Sequence, residues 1–193
     1  VKPVLFYATA SHHPMTSWRG WGGIETKAQA DEEMGRIRAE LEKLQTAADF
    51  PLKFLPLGSV ANDSLAGIEA DMKTADVVLA YAAGGNVGAL HALANSGKDG
   101  IFFVRHKSGP LYLFYEVISP ITLRNFTSDK NTAKSCDESD VVVDSQEEIL
   151  WRLRARCGLR NTIGSRFVAL GGPGGWGVGA KAPELARDRF KLD

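Results

Sequence analysis

The chain has 193 residues, 44% of them hydrophobic, which is enough for one good core and ordinary for a globular protein. Lys plus Arg and Asp plus Glu number 23 each, so the chain lacks the global basic field that nucleic-acid and anionic-membrane binding need. No apolar run approaches the roughly 20 residues of a membrane helix, and two cysteines are too few for a disulfide framework, so a reduced cytoplasmic protein is expected.

In chain order, apolar runs of strand length alternate with amphipathic segments. Strands are predicted at residues 4–8, 52–57, 77–82, 101–104, 141–143 and 166–170. Helices are predicted at residues 26–47, at residues 88–94 and through residues 183–187. A further helix is predicted to begin after an N-cap at Asn62, and another to run from the capping box of Ser145 and Glu148 to Gly158.

This alternation predicts a doubly wound, mostly parallel α/β sheet with helices on both faces, Rossmann-like or flavodoxin-like. Residues 1–160 would form that domain, and residues 161–193 would form an additional βα unit or the start of a second domain. The chain has no initiator Met, and residues 190–193 look like the opening of a strand. A piece of a longer polypeptide and a processed start with a frayed tail are both open interpretations.

Two glycine-rich turns follow predicted strands. One contains Gly84, Gly85 and Asn86, and the other contains Gly172 and Gly174. Glycine lets the backbone approach a ligand, and the N-terminus of a following helix offers unpaired N–H groups to it. Neither turn matches a named nucleotide-binding motif, and capping the next helix is the simpler explanation for Asn86. The turns predict a small-molecule crevice at the carboxyl ends of the strands.

The long loop at residues 9–24 carries groups that hydrogen-bond to a polar ligand or stack on it. These groups are His12, His13, Trp18, Arg19 and Trp21. A loop of about 15 residues is more often functional than not. Site and structural roles stay open for each histidine, and their spacing matches no metal motif, so no metal ligand is assigned.

A cationic loop follows the fourth predicted strand. Arg105, His106 and Lys107 precede Ser108, and this cluster suits an acidic or polyhydroxyl ligand; a solvated loop is the alternative. Loops after parallel strands share one edge of a sheet, so residues 11–23, 84–86 and 105–108 are expected to line one crevice. Arg105 or His106 would supply charge-assisted hydrogen bonds there, and Arg105→Ala is expected to weaken binding with little change in melting temperature.

Residues 76–81, 101–110 and the tail from Leu170 to residue 193 are together similar to the amino-terminal part of the L-fucose/L-arabinose isomerase-like family. The resemblance implies a Rossmann-like first domain of an aldose–ketose isomerase, which works through an enediol and a divalent metal, usually Mn²⁺. It places the metal ligands beyond this chain, so we assign no catalytic residue and no cofactor here.

Two functions are therefore in competition. The first is an isomerase-like domain that contacts the sugar and packs against other subunits of a homo-oligomer, inactive as this chain alone. The second is a stand-alone binding module for a sugar, nucleotide or phosphorylated metabolite, without catalysis. Under both functions the expected partner is a small molecule, and under the first it is a polyol or sugar. Neither function involves a nucleic acid or a membrane.

Overall fold

The computed structural model describes residues 1–9, 14–15, 23–61, 64–84, 87–112, 136–168, 170–172 and 181–192. The strands are β1 Lys2–Phe6, β2 Gly58–Val60, β3 Val77–Ala82, β4 Asp99–Val104 and β5 Val141–Val143. The helices are α1 Lys27–Ala47, α2 Glu69–Thr74, α3 Val87–Ala94, α4 Gln146–Thr162 and α5 Ala182–Phe190, with a 3₁₀ turn at Glu138–Asp140. Each described helix is too short or too polar to span a membrane.

The strands form one sheet in the order β2-β1-β3-β4-β5, and all neighbours are parallel. The chain leaves β1 in one direction to reach β2 and then returns past β1 to reach β3 and β4. Right-handed crossovers in opposite directions place α1 on one face and α2 and α3 on the other. The predicted doubly wound α/β fold is thereby confirmed, with the flavodoxin-like strand order.

The core consists of the sheet and the helix faces that cover it. Every residue of β1 and β3 is buried, as expected for parallel strands covered on both faces. Ile37 of α1 and Leu90 of α3 are also fully buried. Such continuous apolar runs are the reason that the sequence indicates β1 and β3, although β1 spans Lys2–Phe6 rather than the predicted residues 4–8.

The chain divides into two compact units, Val1–Ile149 and Leu150–Asp193. The first unit contains the whole sheet, and the second contains most of α4 together with α5. The division falls within α4, as does the predicted boundary after residue 160. The assignment of domains stays a prediction.

The predicted start of α1 is confirmed by its cap. Thr26 accepts a hydrogen bond from the backbone N–H of Gln29 (3.2 Å), and the Gln29 side chain accepts one from the N–H of Thr26 (3.0 Å). This reciprocal capping box satisfies donors that a helix N-terminus otherwise leaves free. It fixes the point at which the long loop after β1 becomes α1.

The second strand is later and shorter than predicted. Residues 52–57 are irregular, so the strand prediction there was wrong. Pro56 has no N–H for a strand ladder, and its carbonyl accepts a hydrogen bond from the Lys2 ammonium (2.7 Å). The regular ladder with β1 therefore starts after Pro56, where Val4 lies opposite Gly58, although the Leu55 N–H already donates to the Val1 carbonyl (2.9 Å).

α2 also begins later than expected. Its first residue is Glu69, and a turn at residues 66–68 precedes it. Gly67 lies in that turn, and glycine disfavours a helix by about 1 kcal/mol relative to alanine. The predicted N-cap, Asn62, lies outside the described residues.

α4 starts as predicted, because Ser145 Oγ accepts a hydrogen bond from the N–H of Glu148 (3.1 Å). Its predicted end at Gly158 was wrong, since the helix continues to Thr162. A Cβ at Gly158 would meet no atom within 4 Å, so this glycine sits in an open helical surface. The left-handed residue beyond the helix end is Gly164, with φ 77°.

The predicted strand at residues 166–170 is wrong for its described residues. Residues 166–168 are irregular and Leu170 lies in a turn. Phe167, Val168 and Leu170 are exposed, because no described strand pairs with this segment. The helix predicted at residues 183–187 is confirmed as α5, with a proline in its first turn.

Candidate functional site

The strand order has a switch point between β1 and β3. The connections from these two neighbours lead to opposite sides of the sheet, and in folds of this kind the ligand crevice forms beyond the carboxyl ends of two such strands. Thr9 follows β1 and is exposed, and Gly84 follows β3. The Ala83 N–H donates to the Phe6 carbonyl (2.9 Å), so pairing of the two strands continues to their carboxyl ends.

The loop that leaves β1 returns to meet the segment after β4. The Gly23 N–H donates to the Leu111 carbonyl (2.7 Å). A Cβ on Gly23 would lie 2.7 Å from Pro110 Cβ and 2.8 Å from the Leu111 nitrogen. The two segments therefore touch at this glycine, on the side of the sheet where ligands of such folds bind.

Arg105 is fully buried, whereas the sequence predicted that its side chain lines a crevice. Its Nε donates to Glu33 (2.6 Å), and a terminal nitrogen donates to Glu40 (2.7 Å). Its Cζ lies 5.1 Å from the centroid of the Phe103 ring. A Cβ on Gly109 would lie 2.7 Å from Arg105 Cδ, so the packing is tight on that side too. Ligand contact by Arg105 stays a prediction, while its visible role is to tie β4 to α1.

We call Glu33, Arg105 and Glu40 the buried ionic cluster. Both oxygens of Glu33 are engaged, because Arg105 and the Tyr112 hydroxyl (2.6 Å) donate to Oε1 and Arg36 (3.0 Å) donates to Oε2. Burial alone would lower the pKa of Arg105, but the hydrogen bond to Glu40 and the neighbouring Glu33 keep it above its usual value. The arginine is therefore permanently charged, and its charge is compensated inside the protein.

Asp144 holds the loop that follows β4. Its Oδ1 accepts from the backbone N–H groups of His106 (2.9 Å) and Ser108 (3.0 Å), and Oδ2 accepts from that of Lys107 (2.9 Å). The Ser108 hydroxyl also donates to Oδ1 (2.6 Å). Burial would raise the pKa of Asp144, but these hydrogen bonds outweigh it and hold the pKa well below its usual range. The carboxylate is thus ionised and fixes the backbone of the loop.

The structure describes some of the predicted ligand residues and not others. Those outside the described residues are His12, His13, Trp18, Arg19, Trp21, Gly85, Asn86 and Gly174. Gly84 lies at the switch point, while His106, Lys107 and Ser108 are exposed after β4. Gly172 belongs to the second unit, and its φ of 102° is one that favours glycine. Their ligand-binding roles stay predictions.

Glu33, Glu40 and Asp144 are not among the residues predicted from the sequence. Glu33 of α1 is buried, whereas its apolar neighbour Met34 is only half-buried. A signal was present, since Glu33 and Glu40 are seven residues apart and so share one helix face with buried Ile37. Acidic residues on an apolar face indicate a buried cation on the opposing element.

Tyr81 tests whether every buried polar group in this region has a hydrogen-bond partner. Its side chain is fully buried, packs edge-on against Phe103 with ring centroids 5.4 Å apart, and its hydroxyl has no hydrogen-bond partner among the described residues. Burial, together with Glu40, raises the pKa of Tyr81 far above its usual value, so the phenol is neutral.

We expect Tyr81→Phe to leave the free energy of unfolding unchanged or to raise it by about 1 kcal/mol, because an unpaired buried hydroxyl is removed. Urea denaturation measures this change. Tyr112→Phe is the matched control, since it loses a 2.6 Å hydrogen bond to Glu33 and should destabilise by about 1.5–3 kcal/mol. A loss above about 1 kcal/mol in Tyr81→Phe would show that the hydroxyl has a bonding partner.

In the described part of the chain, no three His, Cys, Asp or Glu side chains are placed to hold a metal ion. The described residues thus do not fit a Mn²⁺ centre, and we assign no metal ligand.

The chain matches no protein-family model, and comparisons with curated proteins and with solved structures give no match. The function therefore has to be inferred from the fold and from the groups at the carboxyl edge of the sheet.

Proposed function

We propose that the first unit binds a small polyhydroxyl ligand, a sugar or a related polyol, in the crevice at the β1–β3 switch point. The observation that carries this proposal is the all-parallel order β2-β1-β3-β4-β5. In open α/β sheets of this order, ligands bind outside the carboxyl ends of the strands at the switch point.

The described groups at this edge favour a hydroxyl-rich ligand. Thr9 brings an exposed hydroxyl, and His106 and Lys107 bring exposed nitrogen groups. The charge of Arg105 is already compensated by Glu33 and Glu40. These exposed groups are suited to bind a ligand through several directional hydrogen bonds and less suited to bind it through a strong local positive charge.

The resemblance supports a more specific role for this unit. In that role it supplies substrate contacts and subunit packing to a homo-oligomeric, cytoplasmic aldose–ketose isomerase whose catalytic groups and Mn²⁺ belong to other domains. The stand-alone binding module is the second candidate, and the compactness of Val1–Ile149 as a unit favours it. Isomerisation of an aldose by the chain alone, abolished by a chelator, would contradict both assignments.

Isothermal titration calorimetry with L-arabinose, L-fucose and the corresponding polyols tests the binding proposal. We expect saturable binding of at least one of them with a Kd of about 1 mM or below, which corresponds to about −4 kcal/mol or stronger. Thr9→Trp places a bulky side chain at the mouth of the crevice and should abolish this binding. Thr46→Trp, at an exposed position near the end of α1, is the matched control and should bind as the wild type does. Equal affinity in both variants, or no binding to any of these compounds, would contradict the proposal.

A further inference from the structure

The loop at residues 106–108 is arranged as a receptor for an anion. Three consecutive backbone N–H groups, of His106, Lys107 and Ser108, converge on one carboxylate at 2.9 to 3.0 Å. The Ser108 hydroxyl adds a fourth donor at 2.6 Å. Successive N–H groups that point to one concavity form a nest, the arrangement by which backbone binds phosphate and other oxyanions.

The anion in this nest is the protein's own Asp144. Its two oxygens divide the donors between them, as two oxygens of a phosphate would. The carboxylate comes from the residue directly after β5, and the Asp144 N–H donates to the Val104 carbonyl (3.0 Å), which extends the β4–β5 ladder. The occupant is thus held next to the nest by the sheet itself.

We propose that Asp144 is a specificity-determining residue that fills an anion-binding nest and so keeps phosphate and other oxyanions out of loop 106–108. A tethered carboxylate acts at a high effective concentration, so a free anion in the millimolar range competes poorly with it. The inference concerns the loop alone and stands whether or not a sugar binds at the switch point.

The charges around the nest indicate what removal of this carboxylate would do. His106 and Lys107 carry exposed side chains beside the nest. Arg105 donates to the Ser108 hydroxyl (3.2 Å), although its charge is matched by the buried ionic cluster. Without Asp144, four donors and at least one exposed cation would be left with no compensating anion. The same loop would then attract an external one.

Asp144→Gly is the decisive variant. Asp144 has φ 57°, a left-handed conformation that glycine adopts without steric cost, so the carboxylate is removed while the backbone is kept. The probe is inorganic phosphate, titrated at pH 7 against chloride at matched ionic strength. The readout is the ¹⁵N–¹H shifts of His106, Lys107 and Ser108. Asp137→Gly is the control, because Asp137 accepts an N–H from Ser139 (2.7 Å) away from this nest.

We expect the wild type and Asp137→Gly to show no saturable response at these amides up to tens of millimolar phosphate. Asp144→Gly should respond saturably with an affinity at least about ten-fold higher, as expected when charge-assisted hydrogen bonds become available. A folded Asp144→Gly without this response, or a wild type that binds phosphate equally well, overturns the proposal. If Asp144→Gly does not fold, Asp144→Asn decides: a stronger response than the wild type supports the proposal, and an equal one overturns it.

Discussion

Replacing Arg105 with Ala is expected to destabilise the first unit by about 3–5 kcal/mol, the loss typical when one partner of a buried ion pair is removed. The substitution would leave Glu33, whose side chain is 1% exposed, and Glu40, at 17%, without their shared cation. The burial of Arg105 thus leads us to expect a large loss of stability, where the sequence alone predicted little change in melting temperature.

Arg36→Ala is the matched control for this substitution, and urea denaturation measures both. Arg36 pairs with the other oxygen of the same Glu33, but its side chain is 40% exposed. Its removal should cost at most about 1 kcal/mol, as for other exposed ion pairs. A similar loss in both variants, or a loss below about 1 kcal/mol in Arg105→Ala, would show that the buried ionic cluster does not hold α1 to the sheet.

Gly23→Ala should also have a large effect, because the new Cβ would lie 2.7 Å from Pro110 Cβ and 2.8 Å from the Leu111 nitrogen. Backbone atoms cannot move aside as the end of a flexible side chain can. We expect a loss of about 1–3 kcal/mol, the usual range for overpacking, and weakening of the Gly23–Leu111 hydrogen bond. If the proposed crevice binds a ligand, the affinity should fall with it, because the loops after β1 and β4 separate.

Gly35→Ala provides the comparison for Gly23→Ala. Gly35 lies within α1, and a Cβ there would meet no atom within 4 Å. Alanine at this position should stabilise the protein by about 0.5–1 kcal/mol, since glycine weakens a helix interior. Thermal or urea denaturation of the two variants measures both effects. A Gly23→Ala variant as stable as the wild type would mean that the two loops are not held together at this glycine.

The fold could be predicted from the sequence to a large extent. Parallel strands covered on both faces are continuous apolar runs, and β1, β3 and β4 stand out for that reason. The errors came from local signals that the wider structure overrides. Pro56 delayed β2, and Gly158 did not end α4 because an exposed glycine in a helix interior costs only about 1 kcal/mol.

The candidate site was less predictable. The order of strands and loops places Gly84 and the loop after β4 at one edge, and that placement follows from parallel pairing alone. The environment of Arg105 does not follow from it, since Glu33 and Glu40 are 72 and 65 residues away in sequence. Asp144 is likewise 36 to 38 residues from the N–H groups it binds. Pairs so distant depend on how α1 and β5 are placed in the finished sheet.

A small polyhydroxyl ligand at the β1–β3 switch point would contact the backbone at the carboxyl edge of the sheet. An amide-shift map of the ¹⁵N-labelled protein, recorded with the sugar or polyol that binds most tightly in calorimetry, locates the bound ligand. We predict the largest saturable shifts at Ala8, Thr9 and Gly84, which follow the two strands at the switch point. Amides at the opposite edge, such as those of Val77 and Asp99, should not change. Saturable shifts concentrated at that opposite edge, with none at the switch point, would rule out ligand binding at the switch point.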